Sequence, residues 1–186
     1  NTYTLTVNDT PNLSSAITDA STNEDAAYSY DASANFSDVD VGDTLTYSAT
    51  LADDSALPSW LSINSTTGVL SGTPANGDVG DIAVKVTVTD GDSASVSDTY
   101  TLTVVNTNDA AIISGSTTGA VTEDSETTTA TGTLTHTDVD VDNSDNVFTA
   151  VTDVTSTYGS YSVTTAGVWT YTLDNSNSSV QALGVG

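Results

Sequence analysis

The sequence predicts an all-β chain of tandem antiparallel β-sandwiches. Three observations carry that prediction: period-two alternation of apolar and threonine positions, turn-forming clusters between the runs, and an internal repeat of about 100 residues. Tyr3, Leu5 and Val7 open the alternation. Ile82, Val84, Val86 and Val88 form a second run, Tyr100, Leu102 and Val104 a third, and Trp169, Tyr171 and Leu173 a fourth. β-branched and aromatic residues at this period mark half-buried strands, because successive side chains of an extended chain face opposite ways. Thr73-Pro74-Ala75-Asn76-Gly77 and Asp90-Gly91-Asp92 carry the residues that turns require. Ser178 to Leu183 reads as one or two helical turns. Many short strands separated by regular turn signals point to sandwiches.

The repeat sets the domain plan. Thr2-Tyr3-Thr4-Leu5-Thr6-Val7 recurs unchanged as Thr99-Tyr100-Thr101-Leu102-Thr103-Val104. Three acidic motifs follow each copy in order: Asn8-Asp9 and Asn108-Asp109, Glu24-Asp25 and Glu123-Asp124, Asp38-Val39-Asp40 and Asp138-Val139-Asp140, at offsets of 99 or 100 residues. That period is the size of an immunoglobulin-like sandwich. Residues 1–11 are expected to be the last strand and linker of a preceding repeat. One sandwich is expected over 12–105, a linker over 106–109, and over 110–186 a second sandwich short of about two strands at its C-terminal end. Strand addition between copies, with residues 1–7 filling that gap, is an expected mode of association.

Charge excludes whole classes of partner. Against 25 Asp and Glu stands one basic residue, Lys85, for a formal net charge of −24. Nucleic acid and anionic membranes need clustered Lys and Arg, so neither is an expected partner. No apolar run is long enough to span a membrane as a helix. Cysteine is absent, so no disulfide can tie the fold. A charge this far from zero opposes compaction, and a bound cation is the economical remedy.

The repeated acids suit that cation. Calcium takes 6–8 oxygen ligands from carboxylates, Asn side chains and backbone carbonyls. An Asp-Val-Asp segment puts both carboxylates on one side of an extended chain. The first converging set is Asp9, Asp38, Asp40 and Asp90, with Asn8 and Asp43 beside them. Glu24 is expected at the opposite end of the first sandwich, where it would meet Asn106, Asn108, Asp109, Asp138 and Asp140. Glu123 repeats Glu24. Asp53, Asp54, Asp78, Asp81, Asp92 and Asp153 have no repeat counterpart and read as surface charge. No contiguous EF-hand loop is present, so the sites must be assembled from distant segments.

Several runs together resemble a known family. Phe36-Ser-Asp38-Val-Asp40-Val-Gly-Asp43-Thr-Leu-Thr-Tyr47, Leu57-Pro-Ser-Trp60-Leu-Ser-Ile63, Thr67-Gly-Val-Leu-Ser-Gly72-Thr-Pro74 and Val86-Thr-Val-Thr-Asp90 resemble the cadherin-like, dystroglycan-type repeats of bacterial surface proteins. Residues 110–186 resemble the VCBS repeat of giant RTX, type I-secreted adhesins. That likeness rests on Val121-Thr-Glu123-Asp124, Gly132-Thr-Leu-Thr-His-Thr-Asp138, Tyr158-Gly-Ser-Tyr161 and Gly167-Val-Trp169-Thr-Tyr171-Thr-Leu173-Asp174-Asn175-Ser176. The resemblance implies immunoglobulin/cadherin-like sandwiches that bind Ca²⁺ at linker, early-glutamate and Asp-x-Asp positions. It implies an extracellular extender repeat of a bacterial adhesin or filament whose partners are neighbouring repeats. Cadherins carry an acidic triplet where this chain has Gly72-Thr73-Pro74, which implies fewer or weaker ions per junction.

Rival readings are weaker. His136 is the one histidine and no Gly-x-Ser-x-Gly elbow exists, so no hydrolase triad is expected. The carboxylates sit among Gly, Ser, Thr and Asn, whereas glycoside hydrolysis needs one acid in an apolar pocket. A calcium-dependent module for surface glycans or protein ligands would need exposed aromatics, and Trp60 and Trp169 read as core. Lys85 falls opposite the core-facing valines, so its charge is expected to be solvated rather than consumed in an isopeptide.

Overall fold

Alternation becomes sheet along most of the chain. The computed structural model describes residues 8–40, 42–140 and 147–183; the run Tyr3, Leu5 and Val7 lies outside them. Contacts divide the chain into two units, Asn1–Thr107 and Asn108–Gly186. In the first, nine strands follow in order: β1 (Asn12–Leu13), β2 (Ala20–Asn23), β3 (Tyr28–Asp31), β4 (Phe36–Ser37), β5 (Thr46–Leu51), β6 (Leu61–Ile63), β7 (Val69–Gly72), β8 (Gly80–Thr89) and β9 (Ser95–Val105). One sheet has the order β2-β9-β8-β5, another β3-β7-β6, and β1 pairs with β4. The core lies between the sheets. Val84, Val86 and Val88 from β8, Tyr100 and Leu102 from β9, and Leu70 from β7 are buried there with Tyr28, Phe36, Tyr47 and Leu61. Each such aliphatic side chain contributes about 1.5–3 kcal/mol by leaving water.

The antiparallel expectation holds with one exception. β2 runs parallel to β9, with Ala20 opposite Leu102 and Asn23 opposite Val105. The chain leaves β1, paired with β4, and enters β2 in the sheet of β9. Two carboxylates fix that crossing: Asp98 Oδ2 accepts the Ile17 N–H at 2.7 Å and Asp19 Oδ1 accepts the Thr101 N–H at 2.7 Å. Lys85 also departs from expectation. It does lie opposite the buried valines, but it forms an ion pair with Asp54.

The second unit holds β10 (Ile112–Gly115), β11 (Thr129–Thr137), β12 (Val151–Ser156), β13 (Gly159–Val163), β14 (Val168–Leu173) and the short helix α1 (Ser178–Gln181). Asn177 caps α1 by accepting the Ser179 N–H. The strand order is β10-β11-β14-β13-β12. The trio β11-β14-β13 repeats the order of β3-β7-β6 about 100 residues on. Trp169 lies opposite Gly132, where a Cβ would come within 2.5 Å of the indole nitrogen, and its Nε1–H donates to the Ser116 carbonyl. Among the described residues this unit has one sheet. Of its described hydrophobic side chains only Ala130 and Val180 are buried, while Ile112, Ile113, Tyr158 and Leu183 are exposed. No helix among the described residues is long and apolar enough to cross a membrane.

Candidate metal centre

Three carboxylates meet at one end of the first unit. Asp38 follows β4, Asp43 precedes β5, and Asp90 closes β8 at the turn into β9. One oxygen from each lies within 4.8 Å of the other two. Among the described residues this is the one group of three or more acidic or metal-ligating side chains at such spacing. Local hydrogen bonds aim these groups. Asp38 Oδ1 accepts the Asp40 N–H at 2.9 Å, and Asp40 Oδ2 accepts the Asp9 N–H at 2.7 Å. Asp90 Oδ1 accepts the N–H groups of Asp92 and Ala94 and so shapes its own turn, while Asp90 Oδ2 accepts from the Asn8 amide at 3.1 Å. Asn8, Asp9, Asp38, Asp40, Asp43 and Asp90, six residues spread over more than eighty positions, are therefore brought together.

Electrostatics distinguishes the members. Desolvation, joined by the charges of Asp40, Asp38, Asp90 and Asp92, pushes Asp43 above the usual carboxylate range. The Asn8 amide holds Asp90 below that range, with the backbone donors of its turn helping and desolvation opposing. Asp38 Oδ2 is buried with no hydrogen-bond partner among the described residues. The single basic residue of the chain is committed elsewhere, to Asp54. A cluster of anions with an orphaned buried oxygen, in a chain whose one basic side chain pairs elsewhere, fits a hard divalent ion bound by oxygen.

Glu24 offers a second point of attachment. Its side chain is 2% exposed, Oε1 accepts the Thr107 N–H at 2.7 Å, and Oε2 has no partner among the described residues. A buried carboxylate satisfied on one oxygen is costly unless something else meets the other. Asn106 lies exposed just past β9, and the Asn108 amide donates to the Asp109 carbonyl. The second unit repeats the first site's backbone geometry: Asp138 Oδ1 accepts the Asp140 N–H at 3.1 Å, and Asp140 Oδ2 accepts the Asp109 N–H at 2.9 Å. Glu123 instead lines an apolar cavity within that unit.

Sequence reasoning left some roles unassigned. Asp92 was read as surface charge, yet it contributes to the field on Asp43. Asp98 and Asp19 were not singled out; Thr118 stands where the repeat would place a copy of Asp19. His136 stacks edge-on against Phe148 at 5.3 Å, and its Nδ1 has no partner among the described residues. Trp60 packs half-buried against the core.

No curated protein matches the chain. Among solved structures, the extracellular cadherin domains 1–5 of protocadherin gamma B2 align over 90% of this chain and 33% of theirs, at 14% identity and TM-score 0.52, a likeness of fold. An endo-fucoidan hydrolase of glycoside hydrolase family 107 aligns at 29% identity and TM-score 0.44, over 56% of this chain and 15% of the enzyme. The chain thus spans a third or less of either structure. Residues 10–105, just over half of the chain, match the family model described as "Putative Ig domain", and the chain belongs to that family of immunoglobulin-like domains.

Proposed function

We propose that this chain is a calcium-stiffened structural repeat of a large extracellular protein, an extender that holds other parts of a bacterial adhesin or filament away from the cell. The observation that carries the reading is the Asp38, Asp43 and Asp90 cluster, with its orphaned Asp38 oxygen, in a chain whose one basic side chain is engaged elsewhere. Asp38, Asp43 and Asp90 would hold the ion, with Asp40, Asp9 and the Asn8 side chain at the margin. Calcium suits these loop-borne oxygens better than magnesium, which demands near-ideal octahedral geometry and keeps its waters. The ion would offset the mutual repulsion of the acids and fix residues 8 and 9 to the body of the first unit. Asp109 and Asp140 repeat that tie at the start of the second unit, which supports a junction built the same way at each repeat. The VCBS likeness of residues 110–186 supports a giant secreted adhesin as the parent, and biofilm matrix or surface-layer roles draw on the same reading.

Calorimetric titration of the chelator-stripped chain with Ca²⁺, paired with small-angle scattering, tests this. Saturable binding with dissociation constants around 10⁻⁴–10⁻³ M is expected, as for extracellular modules, with scattering that becomes more rod-like. Joint Asp38→Asn and Asp90→Asn substitution should weaken binding about tenfold or more, since ligand charge tunes affinity. Absence of heat, together with unchanged scattering, would reduce the acids to solvated loop charge.

A further inference from the structure

We propose that the first unit is a mechanical clamp in which β2 and β9 bear tension along the chain in shear. Asp19, Asp98 and Glu24 act as side-chain latches on that patch. Direction decides the matter. The chain enters the unit through residues 8–11, ahead of β1, and leaves it through Asn106 and Thr107, just past β9. β2 runs parallel to β9, from Ala20 opposite Leu102 to Asn23 opposite Val105. In a parallel pair the leading end of one strand and the trailing end of the other lie at opposite ends of the ladder. A pull on residues 10 and 107 therefore slides the two strands past each other and strains every bond between them together. In an antiparallel pair the two pulled ends would lie side by side, and the bonds would open one at a time.

Side chains lengthen the patch beyond its backbone ladder. Ahead of it, the Ile17 N–H donates to Asp98 Oδ2 and the Thr101 N–H donates to Asp19 Oδ1, each at 2.7 Å. Beyond it, the Glu24 N–H donates to the Val105 carbonyl at 3.0 Å, and Glu24 Oε1 accepts the Thr107 N–H at 2.7 Å. Bonds that end on a carboxylate are stronger than neutral ones. The joined segments thus run from Ile17 to Glu24 and from Asp98 to Thr107. Ile17, Glu24, Leu102 and Val104 are buried, which keeps water from taking over a bond as it opens.

Neighbouring pairings set the order of failure. β1 shares two residue pairs with β4 and is expected to detach first, handing the load to Ile17. β9 is held on its other side by ten residue pairs to β8. The shorter pairing with β2 then sets the force at which the unit yields. The clamp is a property of the first unit by itself; only its use, keeping an extender folded under tension, rests on the function proposed above.

Single-molecule force spectroscopy of the 186-residue chain tests the clamp, and the absence of cysteine lets two introduced thiols set the direction of pull. Thr10→Cys with Thr107→Cys loads β2 and β9 in shear. Thr10→Cys with Ser95→Cys loads the patch from one end and peels it, because Ser95 opens β9 ahead of Asp98. Both pairs leave residues 108–186 off the line of force. In chelator, the shear pair should yield at a force at least about twofold above the peeling pair, since forced unfolding reads the barrier along the pull. Asp19→Ala with Asp98→Ala should lower the shear force and leave the peeling force unchanged. Equal forces in the two directions overturn the proposal, and that comparison needs no substitution within the patch. A direction dependence present in calcium and lost in chelator also overturns it, because the bound ion would then carry the load. A shear force indifferent to the two alanines, or an equal loss in both directions, removes the latches. A calcium titration without heat would sink the extender reading and leave the clamp standing.

Discussion

Asp43 and Asp90 belong to one cluster and answer pH with opposite signs. Asp90, held below its unfolded value chiefly by the Asn8 amide, adds stability that is complete above the ordinary aspartate range, near 3.9, and is lost as pH falls through its folded value. Asp43 is pushed above that range by desolvation and by its acidic neighbours. Its favoured state is protonated, so its contribution is present at low pH and is lost as pH rises through its folded value. Without metal, Asp43→Asn should therefore raise the melting temperature at pH 7 relative to the parent chain and leave it nearly unchanged at pH 3. Asp90→Asn should lower it at pH 7, because the turn from Asp90 to Ala94 loses a charged acceptor. Thermal melts in chelator at the two pH values check both. The same Asp43→Asn exchange should weaken calcium binding, so one substitution separates the cost of the empty cluster from its use. If Asp43→Asn destabilised the metal-free chain at pH 7, the repulsion assigned to that cluster would be wrong.

The hairpin of β8 and β9 places Val84, Val86, Val88, Tyr100 and Leu102 in the first unit's interior, and its energetics can be tested one side chain at a time. Leu102 is fully buried between β2 and β8, so Leu102→Ala should cost about 2–5 kcal/mol in urea unfolding, with the midpoint falling and the slope unchanged. Gly72→Ala on β7 should also destabilise, for the opposite reason. A Cβ there would sit 1.8 Å from the Trp60 carbonyl oxygen, so backbone must move to admit one methyl group. β8 and β9 were legible in the sequence because Ile82 to Val88 and Tyr100 to Val104 alternate long enough to fix a face. β1 and β4 have two residues each, too few for any period, and the change of sheet into β2 depends on hydrogen bonds between residues about eighty positions apart. The candidate site divides in the same way. Asp38, Asp40 and Asp9 were visible through their copies at Asp138, Asp140 and Asp109, and Asp90 through its turn. The burial of Glu24 and the field of Asp92 on Asp43 are products of packing that no local pattern encodes.

A formal net charge of −24 gives the whole molecule two distinguishable responses to cations. Diffuse repulsion among exposed acids is relieved by any electrolyte, because at about 0.1 M salt the screening length is about 10 Å. A bound ion acts through mass action and stabilises the folded chain by RT ln(1 + [L]/Kd), about 2.7 kcal/mol at 100 times Kd. Sodium chloride should therefore raise the melting temperature of the chelated chain gradually over tenths of a molar, and magnesium should do little more than its ionic strength requires. Calcium should act within a few millimolar and keep adding logarithmically. The Asp38→Asn and Asp90→Asn pair should remove the calcium increment and leave the sodium response intact, since it takes only 2 of 25 acidic charges from the surface field. Calorimetric melts of both chains across the three salts decide the matter. Equal responses to calcium and magnesium, or a calcium increment that survives the double substitution, would assign the stabilisation to screening and remove calcium from the proposed function. A calcium increment lost with Asp38 and Asp90 would tie the stability of the folded chain to a divalent ion bound at that cluster.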